Sequence, residues 1–210
     1  MTSTAYRTVA TEAWAEIEVE RSRFRCLLAR VDDEGGARGV VEVQRRDHWN
    51  AQHHAHAVIL GPDGAVERSS DDGEPSGTAG APMLDVLRGA GVSDVIAVTT
   101  RWFGGVLLGT GGLARAYADS VRAALGQAGL VDRVLMEECE VTVDLAVVGR
   151  LEHELRARGT QVLGVDYTDM ATVRLAVPPQ ALAIIEEAVE ELTGGEASLF
   201  RTGSEWVDVS

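Results

Sequence analysis

The chain contains no lysine; all nineteen of its basic residues are arginine. That absence excludes a Schiff-base lysine, a Walker-type phosphate lysine and a Ser-Lys dyad. Cysteine is nearly as scarce. Cys26 and Cys139 are too few and too far apart for a disulfide framework or a cysteine-based metal site, and both fall in apolar, strand-like runs that read as buried thiols. No apolar run approaches the roughly 18 residues of a membrane span. The opening MTSTAYRTVATEAW has no basic flank leading into an apolar stretch. A cytoplasmic protein without a membrane partner is the expectation. Positive charge is also in deficit: the net charge is −14, with −5 up to Glu137 and −9 beyond it. Binding to a phosphate backbone needs a basic surface, so general nucleic-acid binding is not expected.

What is present is an ordinary globular composition, 45% hydrophobic and 25% charged. The 210 residues can form one large domain or two small ones. Apolar alternation predicts strands over Trp14–Val19 and Phe24–Val31, a short amphipathic helix within Gly35–Asp47, and a strand over His54–Leu60. Gly61-Pro62-Asp63-Gly64 is a turn that continues into a hairpin through Glu67–Ser69. The stretch DDGEPSGTAGAP, Asp71–Pro82, is too rich in glycine, proline and acid to be a core element and reads as a loop. A helix begins near Ala81 and Pro82 and stops at Gly89-Ala90-Gly91. A buried strand over Val95–Thr100 and a helix over Gly112–Ala128 follow. Beyond Gly129 the order strand, helix, strand, strand, helix, strand in about seventy residues indicates a ferredoxin-like split βαβ arrangement.

The stretch around which the chain is organised is RWFGGVLLGTGGLAR, Arg101–Arg115. Its glycines, Gly104, Gly105, Gly109, Gly111 and Gly112, sit between the buried strand and the helix. Glycine lets backbone N–H groups come close to a ligand, and a helix N-terminus gathers unpaired N–H groups, so the default reading is an anion-binding turn aided by Arg101 and Arg115. Tight packing of turn on helix is the bland alternative. Gly109–Ala114 formally matches G-x-G-x-x-A, yet about eight residues separate it from the strand, which removes the dinucleotide fingerprint.

Asp71, Asp72 and Glu74 invite three readings: a cation site, a capping turn, or partners for the arginines of the glycine-rich stretch. Calcium-loop spacing is missing, so pairing between an aspartate and an arginine across the two loops is favoured. Ser76 and Thr78 can cap the following helix. In a strand His54 and His56 share one face and His53 takes the other; a two-histidine zinc site completed by Asp71 or Asp72 is conceivable but not the expectation, and no cofactor or metal is called for. No serine sits in a nucleophile elbow.

The segments DDGEPSGTAGAPML, Asp71–Leu84, and RWFGGVLLGTGGLARAY, Arg101–Tyr117, with ERSRFRC, Glu20–Cys26, and the pair His53-His54, closely resemble the YigZ/IMPACT family. The resemblance implies an α+β protein. Residues 1–135 would form an IMPACT-like domain, an α/β sandwich similar to the second domain of a small-subunit ribosomal protein, and 136–210 a ferredoxin-like domain. The two-domain arrangement looks like the bacterial branch, whose role is undefined, whereas eukaryotic relatives modulate translation under amino-acid starvation. The implied function is a non-catalytic regulatory or binding protein of translation or the starvation response. Its partner would be a protein of the translation machinery or a local RNA contact, held by Asp71, Asp72, Glu74, Ser76, Thr78, Arg101, Gly104, Gly105, Gly109, Gly111, Gly112 and Arg115. The alternative is an enzyme acting on a small phosphorylated or carboxylated substrate, with His54 as acid/base and Asp72 orienting it. Two departures from the family pattern stand out. Ala55, His56 and Val58 replace a frequent cysteine and aromatics, which weakens thiol chemistry there, and Ala81 replaces a frequent lysine.

Overall fold

The computed structural model describes residues 3–209, which form a mixed α+β structure. Two compact units divide it, one ending at Asp132 and one running over Arg133–Val209. The boundary falls inside a single strand.

In the first unit β1 (Ala5–Val9) precedes the hairpin of β2 (Ala13–Val19) and β3 (Ser22–Arg30). Then come α1 (Glu34–Asp47), β4 (His53–Leu60), β5 (Val66–Ser70), α2 (Gly80–Ala90), β6 (Val95–Trp102) and α3 (Gly109–Ala128). β1 was not foreseen: AYRTV lies in the same polar opening stretch that carries no clear alternation, and it bridges Arg7 to Val92 in parallel. The main sheet has the order β2-β3-β6-β4-β5 and is antiparallel throughout. Because successive side chains alternate between faces, each strand feeds two cores. Phe24, Cys26, Ala55, Ala57, Val95 and Ala97 pack against α2 and α3 through Met83, Leu87, Leu113, Tyr117 and Val121. On the opposite face Val58, Leu60, Ile96 and Val98 meet Ala37 and Val41 of α1. Helices therefore cover both faces of the sheet, unequally.

Glycine ends the helices where the sequence places it: Gly91 caps α2 in the left-handed region at φ 65°, and Gly129 follows α3 at φ 64°. The start of α3 departs from expectation. It begins at Gly109, so the glycines predicted to precede the helix are its first turn.

In the second unit the strand β7 (Leu130–Val143) is followed by α4 (Val148–Ala157), β8 (Gln161–Tyr167), β9 (Ala171–Val177), a single 3-10 turn over Pro179–Ala181, α5 (Leu182–Thr193) and β10 (Phe200–Val209). β9 lies between β7 and β8, antiparallel to both, and β10 pairs with β7. Val141, Val173 and Leu175 of the sheet pack on Leu151, Leu155, Ile185 and Val189 of the helices.

Candidate functional site

Arg101 falls near the end of β6 on the face that also carries Val95 and Ala97, so its side chain runs in toward α3. It is buried, with 6% of its surface exposed, and its Nη1 donates to Glu74 Oε1 at 2.7 Å. The phenyl rings of Phe24 and Phe103 lie 5.3 and 5.6 Å from the guanidinium carbon. Glu74, buried as well, accepts a second bond at 2.7 Å from the Tyr117 hydroxyl. Tyr117 in turn meets Phe24 edge-on, 5.2 Å between ring centres. Burial and the adjacent Glu74 carboxylate push the Tyr117 phenol up, which keeps it a donor. A loop, a strand and a helix are thus joined by a buried cation, anion and phenol, and buried charges persist only when paired in this way. The predicted bracing of the two loops exists, but its acid is Glu74 and not an aspartate.

The two aspartates do other work. Asp71 accepts from the backbone N–H groups of Gly77, Ala79 and Gly80 at 2.8, 3.0 and 2.9 Å. Burial pushes the Asp71 carboxyl up, yet these amides outweigh it and hold the group below the usual carboxylate range. It is therefore the cap of α2. The expected caps are not: the N-cap position is Ala79, the Thr78 hydroxyl donates to the Pro75 carbonyl at 2.6 Å, and Ser76 is exposed. Asp72 accepts from the His54 amide at 2.7 Å and from the Arg45 guanidinium on α1. Its own carbonyl accepts from His53 Nδ1 at 2.8 Å, which leaves His53 Nε2 3.9 Å from Glu74 Oε1.

Sterics dictate the first glycines of the stretch. A Cβ on Gly104 would lie 2.0 Å from the carbonyl carbon of Arg21, and the Gly104 N–H donates to Ser22 Oγ at 3.1 Å. Gly105 and Gly109 have φ of 87° and 68°, values that glycine takes without strain. Gly111 is different: it is exposed, and a Cβ there meets nothing within 4 Å. At the N-cap Leu108 offers no side-chain hydrogen bond and the first turn of α3 carries no acid. Leading N–H groups of a helix have no partner within it, so this end presents donors and the positive pole of the helix dipole.

Those donors border a groove of about 510 Å³. Arg101, Glu74, His53, Phe103, Leu107 and Leu108 line it, together with Gly109 and Thr110 at the start of α3. The groove is open to water, since Leu107 is 87% exposed. It combines an apolar rim, an uncapped helix start and a buried arginine already neutralised by Glu74, a set suited to holding an anionic or carbonyl group beside an apolar one.

Of the predicted site residues, Glu74, Arg101 and Gly109 line this groove, while Asp71, Asp72, Ser76, Thr78, Gly104, Gly105, Gly111, Gly112 and Arg115 do not. Arg115 is exposed and its Nε donates back to the Gly111 carbonyl at 3.3 Å, so it gives the groove no charge. His54 and Asp72, the acid/base candidates, are neighbours at 3.9 Å between Nδ1 and Oδ2, beyond hydrogen-bond reach, and neither borders the groove. Burial lowers the His54 pKa. His56 shares its face with His54, and among the described residues no three His, Cys, Asp or Glu side chains converge as a metal site needs. Sequence reasoning missed His53, Gln52, Phe103, Leu107, Leu108 and Thr110 as groove residues. The usable signal was the pairing of β4 with β6, which sets His53 opposite Arg101. Among the described residues no helix is long and apolar enough to cross a membrane.

Comparison with known proteins agrees over nearly the whole chain. The family model of the Impact N-terminal domain matches residues 20–125, and a domain of unknown function, DUF1949, matches residues 141–196. The chain is 38% identical to the IMPACT family member YvyE of Bacillus subtilis, over 93% of this chain and 90% of that protein. It is 35% identical to the IMPACT family member YigZ of Escherichia coli, over 87% of this chain and 90% of that one. A crystal structure of a hypothetical protein superposes with a TM-score of 0.64 at 33% identity, covering 97% of this chain and all of the other. With both domains matched in order and the two long motifs built into one groove, this chain belongs to the IMPACT family.

Proposed function

We propose that the protein is a non-catalytic binding protein that holds an anionic or carbonyl group of a partner in the groove between the Asp71–Gly80 loop and the first turn of α3. The observation that carries this reading is the uncapped start of α3 at Gly109, facing a groove with an exposed leucine rim. Preformed N–H donors recognise a phosphate, carboxylate or peptide carbonyl, and exposed Leu107 and Phe103 supply the apolar contacts of a protein partner. The tie to translation or the starvation response rests on the family resemblance alone, which is an analogy of kind and not of site. A protein partner is favoured over RNA because the chain carries a net charge of −14.

The groove also says where to test. Thr110→Glu places a carboxylate in the first turn of α3, which favours the helix and repels a bound anion. Co-purification from lysate, with and without nuclease, then compares the wild type, Thr110→Glu and Leu107→Ala. One defined protein retained by the wild type after nuclease and lost in both variants supports the reading. Equal recovery in all three removes the groove from function, and loss only on nuclease treatment makes RNA the ligand.

A further inference from the structure

The opposite face of the sheet holds a second cavity, separate from the groove. It lies between α1 and strands β4, β5 and β6 and has a volume of about 370 Å³, at the small end of the range of roughly 300–1,000 Å³ for small-molecule sites. Its floor is aliphatic: Ala37 and Val41 from α1, Val58 from β4 and Ile96 from β6. Charges of both signs stand around it. Glu34, Arg38, Glu42 and Arg45 follow one another along α1 at spacings of three or four residues, and Arg68 adds a guanidinium from β5.

These charges are unequally occupied. Arg45 is taken by Asp72, and Arg68 reaches Glu34 at 3.5 Å. Arg38 reaches the same Glu34 only at 4.0 Å, the limit of an ion pair, and Glu42 pairs with no basic residue among those described. One cation and one anion, four residues apart on the same helix, therefore border an aliphatic floor without using each other. His56 lines the same cavity, and its Nδ1 is buried with no hydrogen-bond partner among the described residues.

A ligand matching this set carries a carboxylate, an ammonium and a short apolar body. We infer that the cavity beneath α1 binds a free aliphatic α-amino acid, its carboxylate at Arg38, its ammonium at Glu42, and its side chain over Val41, Val58 and Ile96. Burial lowers the His56 pKa, so at neutral pH the ring adds no positive charge to the cavity. The site is independent of the groove and stands or falls without it.

Calorimetric titration of the full chain with leucine tests the assignment, beside isocaproate, which lacks the ammonium, isoamylamine, which lacks the carboxylate, and glycine, which lacks the body. Saturable leucine binding at millimolar concentration is expected, about tenfold tighter than any of the other three. Arg38→Ala and Glu42→Ala each weaken leucine by about tenfold, because each removes one charge-assisted bond. Arg38 and Glu42 are exposed, so both variants keep the wild-type melting temperature. Absence of saturable leucine binding overturns the proposal, as does isocaproate or isoamylamine binding as well as leucine, or leucine binding unchanged in both variants.

Discussion

Removing the Glu74 carboxylate should be among the most damaging single changes in the first unit. Glu74→Ala deletes two hydrogen bonds of 2.7 Å, to the Arg101 guanidinium and the Tyr117 hydroxyl, and leaves Arg101 with 6% exposure and no anion. Breaking one side of a buried pair costs about 3–5 kcal/mol, because the surviving charge is neither hydrated nor compensated. For a unit of this length that corresponds to a fall in melting temperature of roughly 10–20 °C. Three of the four tryptophans, Trp14, Trp49 and Trp102, lie in the first unit, so urea unfolding followed by tryptophan fluorescence reads mainly its stability. The decisive measurement is a cycle. Arg101→Met alone strands the Glu74 charge and costs a similar amount, whereas Glu74→Ala with Arg101→Met strands no charge and costs no more than either single change. Tyr117→Phe keeps the edge-on contact with Phe24, loses one charge-assisted bond and costs about 1.5–3 kcal/mol. A cost below about 1 kcal/mol for Glu74→Ala, or strictly additive costs for the pair, refutes the claim that this network ties the two loops together.

Gly104→Ala drives a Cβ to 2.0 Å from the Arg21 backbone and should lower the urea midpoint sharply, while Gly111→Ala, with open space around it, is neutral or gains up to about 1 kcal/mol from helix propensity. If both alanines behave alike, the steric account of this stretch is wrong. Asp71 has a folded pKa below its unfolded value, so its contribution is fully present above the unfolded carboxyl pKa of about 4 and is lost as pH falls through the folded value. Asp71→Asn should flatten that part of the stability-versus-pH curve, and Asp71→Ala should cost about 0.5–2 kcal/mol at pH 7 as other lost helix caps do; an unchanged acid slope in Asp71→Asn assigns it to another carboxylate. Burial pushes the Cys26 thiol up to about 12, against a smaller opposing bond with Thr99, so a thiol reagent at neutral pH should modify Cys26 only on unfolding, and prompt labelling of the native protein counts against the buried site.

Much of the fold was legible because its signals are local. Alternation in β2, β3, β8 and β9, the turn before β5 and the glycines closing α2 and α3 are each set by a few adjacent residues. β1 was not legible: AYRTV is short, and Val92, which it bridges, lies far along the chain. The true start of α3 was hidden for a related reason. Glycines in sequence argue against helix, and Leu108 is no recognisable cap, so only the packing of Leu113, Ala116 and Tyr117 commits the preceding turn. For the site, residue types were readable and partners were not. Asp71, Asp72 and Glu74 lie within four positions of one another, yet one caps a helix, one ties β4 to α1 and one is buried against Arg101. Assigning those roles takes the return path of the loop, which no local pattern encodes.

The sidedness of the molecule comes down to the register of β4. With a side-chain period of two, a slip of one residue would send His54 to the groove and His53 to α1. Asp72 holds the register from both faces: its carboxylate accepts the His54 amide and the Arg45 guanidinium on one side, and its carbonyl accepts the His53 ring on the other. It does so at φ 45°, in the left-handed region, where a residue with a Cβ is disfavoured by about 1–2 kcal/mol. Glycine would adopt that backbone without strain but would lose the carboxylate, and with it the bonds to β4 and α1. An aspartate in a conformation suited to glycine is therefore intelligible only through what its oxygens hold. The strain in the loop and the placement of His53 beside Glu74 have the same cause.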